Sequence, residues 1–222
     1  MRRKGQLAVV GLSATLSAWG QTSSSVKTLP APPTLGIYLE FEAVPGNSSV
    51  AVMQREVTDL LKPSGISVNW RMTKENNGDE PYQHLVVLKF NGSCRAEGRP
   101  SLPAVGMAFL PEPNQPVLLG DAKVEKGRVL PFSEVRCDEV RKALSYLEPT
   151  ASQEQRQVAL GMAMARVVAH ELYHILARTT KHAMRGLAKA SQPLPELVSK
   201  RKMVFDRQDS EAMRKGFDAL QE

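Results

Sequence analysis

The chain of 222 residues is poor in aromatic side chains, in cysteine and in long apolar runs. Aromatic residues make up 5% of it, and no segment interleaves them with basic residues, so the sequence gives no indication of nucleic-acid binding. Its N-terminal apolar stretch, Leu7 to Leu16, is too short to span a bilayer. The sequence also lacks internal repeats and any sign of a second domain.

The N-terminus carries the pattern of a secretory signal peptide. A basic start, Met1 to Lys4, precedes the apolar stretch, and Ala18-Trp19-Gly20 supplies small residues for cleavage. We therefore predict a signal peptide over residues 1–20 and a secreted or periplasmic protein without stable membrane association. An uncleaved membrane anchor is the alternative.

Cleavage after Gly20 also changes the charge balance. The signal peptide holds three of the 29 basic residues, so the remaining chain keeps 26 basic and 23 acidic residues, a net charge of +3. That excess is mild and does not favour a polyanionic partner. Residues 21–34, rich in Ser, Thr and Pro, predict a flexible leader, and residues 35–222 are long enough for a single domain, which we expect to be monomeric.

Cysteine occurs only at Cys94 and Cys137. An even number fits an exported protein, and one disulfide would close a loop of about 40 residues, worth ~3–4 kcal/mol in the loop-entropy description. Two buried free thiols are the alternative. The leader contains no cysteine.

The most informative segment is His170-Glu171-Leu172-Tyr173-His174. On a helix, residues four apart share a face, so the two histidines can offer their ring nitrogens to one metal ion. Glu171 lies about 100° further round, beside that face. The flanking residues are uncharged, and Gln153 to Arg166 upstream is rich in good helix formers. The alternative is a buried helix with two core histidines and a salt-bridging glutamate.

This segment resembles the active-site helix of the zincin metallopeptidases. The resemblance implies one Zn²⁺ ion held by His170 and His174, Glu171 as general base and a peptide or protein substrate. It also implies an α+β fold in which a twisted mixed β-sheet packs on the long HExxH helix and a C-terminal helix closes the domain. In zincins an edge strand of the sheet pairs with the bound peptide, and the sequence does not indicate which segment would do this.

The third zinc ligand separates the zincin subfamilies. Metzincin-like members place a glycine and a third histidine where this chain has Ala177 and Thr180. His182 follows two residues later, and the poor helix propensity of the two threonines before it allows the chain to turn back, so His182 is our predicted third ligand. The alternative is a solvent-exposed histidine in a basic loop with Lys181 and Arg185.

Gluzincin-like members instead use a downstream glutamate, for which Glu196 and Glu211 are the candidates. Glu196 is explained better as an acidic residue in the first turn of a helix over 196–203. A cysteine ligand would have to be one of the two cysteines named above. A methionine beneath the metal could be Met184 or Met203, although core packing explains both more simply.

Alternation and helical periodicity predict the remaining elements. Strands are expected over 35–43, 66–72 and 84–90, and helices over 49–61, with Ser49 as its cap, over 133–147 and over 206–220. Short extended segments are expected over 105–110, 117–119 and 129–132.

Two functions of different class follow from these residues. The first is a secreted zinc peptidase in which Glu171 activates water. Tyr146 and His84 are candidate donors to the oxyanion, whereas Tyr173 points the wrong way along the helix. The second is a secreted zincin-fold binding module with a structural metal or none. The intact Glu171 favours the first, and the irregular third-ligand region favours the second.

Overall fold

In the computed structural model, the described residues are 34–75, 82–96, 118–147, 151–192, 196–197, 199, 201 and 203–219. The predicted signal peptide, nearly all of the predicted leader and the segment Val105–Leu110 lie outside these residues. Within them the protein is α+β, with a five-stranded mixed sheet and four helices. The strands are β1 (Thr34–Phe41), β2 (Ser67–Met72), β3 (His84–Asn91), β4 (Gly120–Glu125) and β5 (Arg128–Arg136); the helices are α1 (Asn47–Leu61), α2 (Cys137–Leu147), α3 (Gln153–Leu176) and α4 (Arg207–Asp218).

The sheet has the strand order β2-β1-β3-β5-β4. In this order β2, β1, β3 and β5 run parallel to one another. Strand β4 lies at one edge of the sheet and is antiparallel to β5. One face carries apolar side chains such as Ile37, Leu88 and Val135, which are all fully buried. These side chains share one core with α1 and α3.

Helix α3 is the long helix that the sequence predicts around the histidine motif. It spans 24 residues and begins with a capping box, in which Ser152 and Gln155 satisfy each other's backbone N–H groups. From Leu160 onward nearly every residue of the helix is buried. At Gly161 a Cβ atom would lie 2.6 Å from the carbonyl oxygen of Ser49, so glycine is what allows α1 to cross so closely.

Two helix starts differ from the prediction. Helix α1 begins at Asn47 with Gly46 as its N-cap, and the Ser49 hydroxyl is buried, where it donates to the carbonyl oxygens of Gly46 and Cys94 rather than capping the helix. Residues 133–136, predicted as helix, belong to β5 because Ser133 and Val135 point into the core and the strand pairs on both sides. Hydrogen bonding to two neighbouring strands outweighs the local preference of these residues for a helix.

The predicted C-terminal closing helix is confirmed as α4. Met213 and Phe217 on its inner side are fully buried, and Leu220 lies outside the described residues. At Gly216 a Cβ atom would lie 2.0 Å from the carbonyl oxygen of Leu176, so α4 packs directly on the last turn of α3.

Cys94 and Cys137 form a disulfide, which excludes both the free-thiol alternative and a cysteine metal ligand. The bond is fully buried and joins the loop after β3 to the first residue of α2. Among the described residues, no helix combines the length and the apolar character needed to cross a membrane.

Candidate metal centre

His170 and His174 lie on consecutive turns of α3, and their Nε2 atoms are 3.1 Å apart. The Nδ1 atom of His170 lies 2.8 Å from the carbonyl oxygen of Leu187, and that of His174 lies 2.7 Å from the carbonyl oxygen of Thr179. A carbonyl oxygen can only accept a hydrogen bond, so each Nδ1 carries the proton and each Nε2 presents a lone pair.

Two lone pairs facing each other at 3.1 Å repel unless a cation lies between them. Two nitrogen ligands of a tetrahedral zinc ion at ~2.0–2.1 Å would be roughly 3.3 Å apart. The observed spacing and the hydrogen bonds that fix the ring tautomers therefore fit a metal ion.

His182 completes the group, because the ligand nitrogens of His170, His174 and His182 all lie within 4.8 Å of one another. Its ring stacks on that of His170, with centroids 5.3 Å apart, and meets that of His174 edge-on at 4.7 Å. His182 is exposed, as the alternative interpretation expected, yet it lies at the cluster. These three histidines are close enough together to bind one metal ion.

The chain returns to the cluster through a turn at the end of α3. The N–H of Arg178 donates to the carbonyl oxygen of Ile175, and the N–H of Thr179 donates to that of His174, which is the hydrogen-bond pattern of a Schellman motif. Arg178 occupies the left-handed position of this motif, with φ +52°. The left-handed residue thus comes one position after Ala177, where the metzincin pattern has its glycine.

Glu171 is buried, with 5% of its surface exposed, and lies against the edge strand β4. Its carboxylate accepts a hydrogen bond from the backbone N–H of Ala122. At Gly120 a Cβ atom would be 3.2 Å from a Glu171 carboxylate oxygen and 2.7 Å from Val167, so a side chain there would push β4 away from α3.

Burial sets the protonation behaviour of the cluster. It raises the pKa of Glu171 to about 7, with a further contribution from the charge of Asp121. It lowers the pKa of His170 to about 4 and also lowers the pKa of His174. Both histidines are therefore neutral at pH 7, as metal ligands must be, and the pKa of Glu171 is close to that of an efficient general base.

The other predicted site residues lie elsewhere. Among the described residues, the histidine cluster includes neither Glu196, which pairs with Lys189 at 2.5 Å, nor Glu211, which pairs with Arg207. Of the candidate methionines, Met203 packs against the core as predicted. The prediction of core packing is wrong for Met184, which is 97% exposed because it lies on a tight surface turn.

The candidate oxyanion donors have different surroundings. Tyr173 is buried, stacks on Phe205 and meets the ring of His174 edge-on, with ring centroids 5.5 Å apart. His84 packs edge-on against Phe217 of α4, with ring centroids 4.3 Å apart. The side chain of Tyr146 lies outside the described residues.

Arg166 is a functional-site neighbour that sequence reasoning missed. It precedes His170 by one helical turn and is fully buried. Its guanidinium donates to the carbonyl oxygens of Glu196, Ser199 and Arg201, which fastens the C-terminal segment to α3. Backbone acceptors leave no pattern in a sequence, so the only sequence signal for this role is the charge of Arg166 within the apolar run 158–169.

Comparison of the chain with protein-family models, with curated proteins and with solved structures finds no match.

Proposed function

We propose that this protein is an exported zinc-dependent peptidase in which His170, His174 and His182 hold the metal and Glu171 is the general base. The observation that carries the proposal is the pair of Nε2 atoms of His170 and His174, which lie 3.1 Å apart. Hydrogen bonds at Nδ1 fix the ring tautomers so that both Nε2 atoms present a lone pair, and the buried carboxylate of Glu171 lies beside them. A purely structural metal site has no use for such a carboxylate.

A zinc ion at the three histidines would lower the pKa of a water molecule and polarise the carbonyl of the scissile peptide bond. Glu171 then accepts a proton from the attacking water and passes it to the leaving amine. Burial raises the pKa of Glu171 in the metal-free protein, and a bound Zn²⁺ would lower it again, which favours the deprotonated form that a general base needs. The hydrogen bond from the Ala122 N–H holds the Glu171 carboxylate in position for both proton transfers.

The edge strand β4 is the proposed site of substrate pairing. It is antiparallel to β5, its other side has no neighbour in the described sheet, and its Ala122 and Gly120 lie against Glu171. A peptide in extended conformation could add to this edge through backbone hydrogen bonds. The proposed secreted or periplasmic location is supported by the buried disulfide, since disulfides persist mainly outside the cytosol.

The test is to load purified protein with Zn²⁺ and to measure bound zinc and cleavage of a mixed peptide library by mass spectrometry. We expect one zinc per chain for the wild type. Glu171→Gln should keep the zinc and lose cleavage by a factor of about 10² or more. His170→Ala and His182→Ala should both bind zinc more weakly.

Three results would count against parts of the proposal. A wild type that binds no zinc contradicts the metal centre. Zinc binding without any cleavage favours the binding module instead. If His182→Ala keeps both its zinc affinity and its activity, the third ligand is a different group, and Glu196→Ala is the next variant to measure.

A further inference from the structure

The loop that follows α3 carries only positive charge. Between residues 178 and 189, here called the basic loop, there are four basic residues and no acidic one: Arg178, Lys181, Arg185 and Lys189. Lys189 is neutralised by its salt bridge to Glu196. The other three are exposed, and within the described residues none of them forms a salt bridge.

Hydrogen bonds tie the basic loop to the histidine cluster. Lys181 directly precedes His182. Ala183 donates to the carbonyl oxygen of Ala188 at 2.8 Å, which closes a tight turn with Arg185 at its tip. Leu187, two residues after Arg185, accepts the hydrogen bond from His170 and donates to the carbonyl oxygen of Val204.

The tip of this turn is also packed closely. Gly186 has φ +73°, a conformation suited to glycine, and a Cβ atom there would lie 2.8 Å from the carbonyl oxygen of Val204. The backbone that carries Lys181 and Arg185 is therefore fixed relative to the proposed metal ligands.

Strand β4, which lies against Glu171, and its neighbour β5 carry no excess of negative charge. On β4 and β5, Asp121 and Glu134 are matched by Lys123 and Arg136 in one salt-bridge network. The basic loop therefore brings three exposed positive charges to the histidine site, whose own carboxylate is the buried Glu171. Lys181 and His182 are chain neighbours, with Cα atoms about 3.8 Å apart, so the exposed charge of Lys181 belongs to the stretch of chain that carries the third histidine.

Resting on the proposed peptidase function, we infer that the basic loop selects peptide substrates with Asp or Glu side chains close to the cleaved bond. Fixed cations beside a cleft attract substrates of opposite charge and raise their association rate. A nucleic acid is a poorer fit, since the basic loop has no Phe, Tyr or Trp on which bases could stack.

The experiment compares two peptide pools that differ only by Glu against Gln at randomised positions. We expect the zinc-loaded wild type to cleave the Glu pool with the higher kcat/KM and to lose this preference in high salt. Lys181→Glu and Arg185→Glu should each reduce the preference roughly 2- to 5-fold, the effect of one exposed charge pair. Arg55→Glu makes the same charge change on the exposed side of α1 and should leave the preference unaltered.

Binding to the zinc-loaded Glu171→Gln variant gives a second measurement that does not need turnover. Fluorescence anisotropy with labelled peptides from the two pools should give the lower Kd for the Glu pool, and adding Lys181→Glu and Arg185→Glu should remove the difference. Zinc content is measured for every variant, so that loss of metal is not mistaken for loss of selectivity.

The two proposals fail in different ways. Cleavage of both pools with equal kcat/KM overturns the inference and leaves the peptidase intact. Absence of cleavage from both pools removes the peptidase, and equal Kd values for the two pools then overturn the inference as well. A preference for Glu that also falls in Arg55→Glu would show that overall charge, rather than the basic loop, is responsible.

Discussion

At the scale of single residues, Arg166 shows how a buried charge can be kept without an acidic side chain in hydrogen-bond contact. It is 0% exposed, and its hydrogen-bond acceptors are three backbone carbonyls. Burial lowers the pKa of the guanidinium from its ordinary value, but arginine remains charged at any pH of interest. The residue therefore acts as a permanent cross-link between α3 and the segment from Glu196 to Arg201.

Replacing Arg166 should be costly for the fold. Arg166→Met keeps much of the apolar stem but leaves three carbonyl groups without their donor. We expect the free energy of unfolding to fall by more than about 3 kcal/mol, because hydrogen bonds to charged groups are worth ~1.5–3 kcal/mol each. Urea denaturation in the presence of a chelator measures this without a contribution from metal binding.

Arg207→Met is the matched control, since Arg207 is 89% exposed and pairs only with Glu211 on its own helix in the described structure. Its expected effect is within about 0.5 kcal/mol. Equal effects for the two variants would mean that the hydrogen bonds of Arg166 contribute little to stability.

At the scale of elements, the end of α3 decides where the third histidine lies. The helix stops at Leu176, the Schellman turn reverses the chain at Arg178, and His182 returns to the cluster. The sequence predicts the stop from Thr179 and Thr180. It does not predict the left-handed residue, because an arginine in that conformation depends on the surrounding hydrogen bonds.

Arg178→Gly should stabilise the protein. A residue other than glycine in the left-handed conformation destabilises the fold by ~1–2 kcal/mol. Arg178→Gly removes this cost, but part of the gain in stability is offset by the greater freedom of glycine in the unfolded chain. We expect an increase of about 0.5–1 kcal/mol in the free energy of unfolding, measured as a higher urea midpoint at unchanged slope. Arg178→Val should lower the midpoint instead; a rise in both variants would contradict the turn geometry.

At the scale of the whole molecule, His84 links the sheet to the closing helix α4. Its ring meets Phe217 edge-on, and its Nε2 atom is buried without a hydrogen-bond partner within the described structure. Burial lowers the pKa of His84 below 6.5. The folded state therefore disfavours the charged ring that the unfolded chain acquires in acid.

The lowered pKa of His84 determines whether the free energy of unfolding rises or falls with pH. A base whose pKa is lower in the folded state contributes full stability above its unfolded pKa of 6.5, and that contribution is lost as the pH falls towards and through the folded value. We expect the free energy of unfolding to decrease more steeply below pH 6.5 in the wild type than in His84→Gln. His170 and His174 add an effect of the same sign, so the comparison is made on metal-free protein, where they contribute equally to both chains. Parallel curves would contradict the role of His84.

The sequence determined the elements that rest on local periodicity. The alternation around Ile37 and the helical spacing of His170 and His174 correspond to β1 and the paired Nε2 atoms. Each depends on neighbours within a few residues, which a sequence displays directly.

Only the tertiary structure decided how these parts meet. It assigned residues 133–136 to a strand, placed β4 against Glu171, joined Cys94 to Cys137 and turned His182 back to the other histidines. It also supplied the carbonyl oxygens of Leu187 and Thr179 that fix the histidine tautomers. Backbone groups carry no sequence signal, and contacts between distant segments have no fixed spacing. The three candidate ligands and the candidate base could therefore be predicted from the sequence, while their surroundings could not.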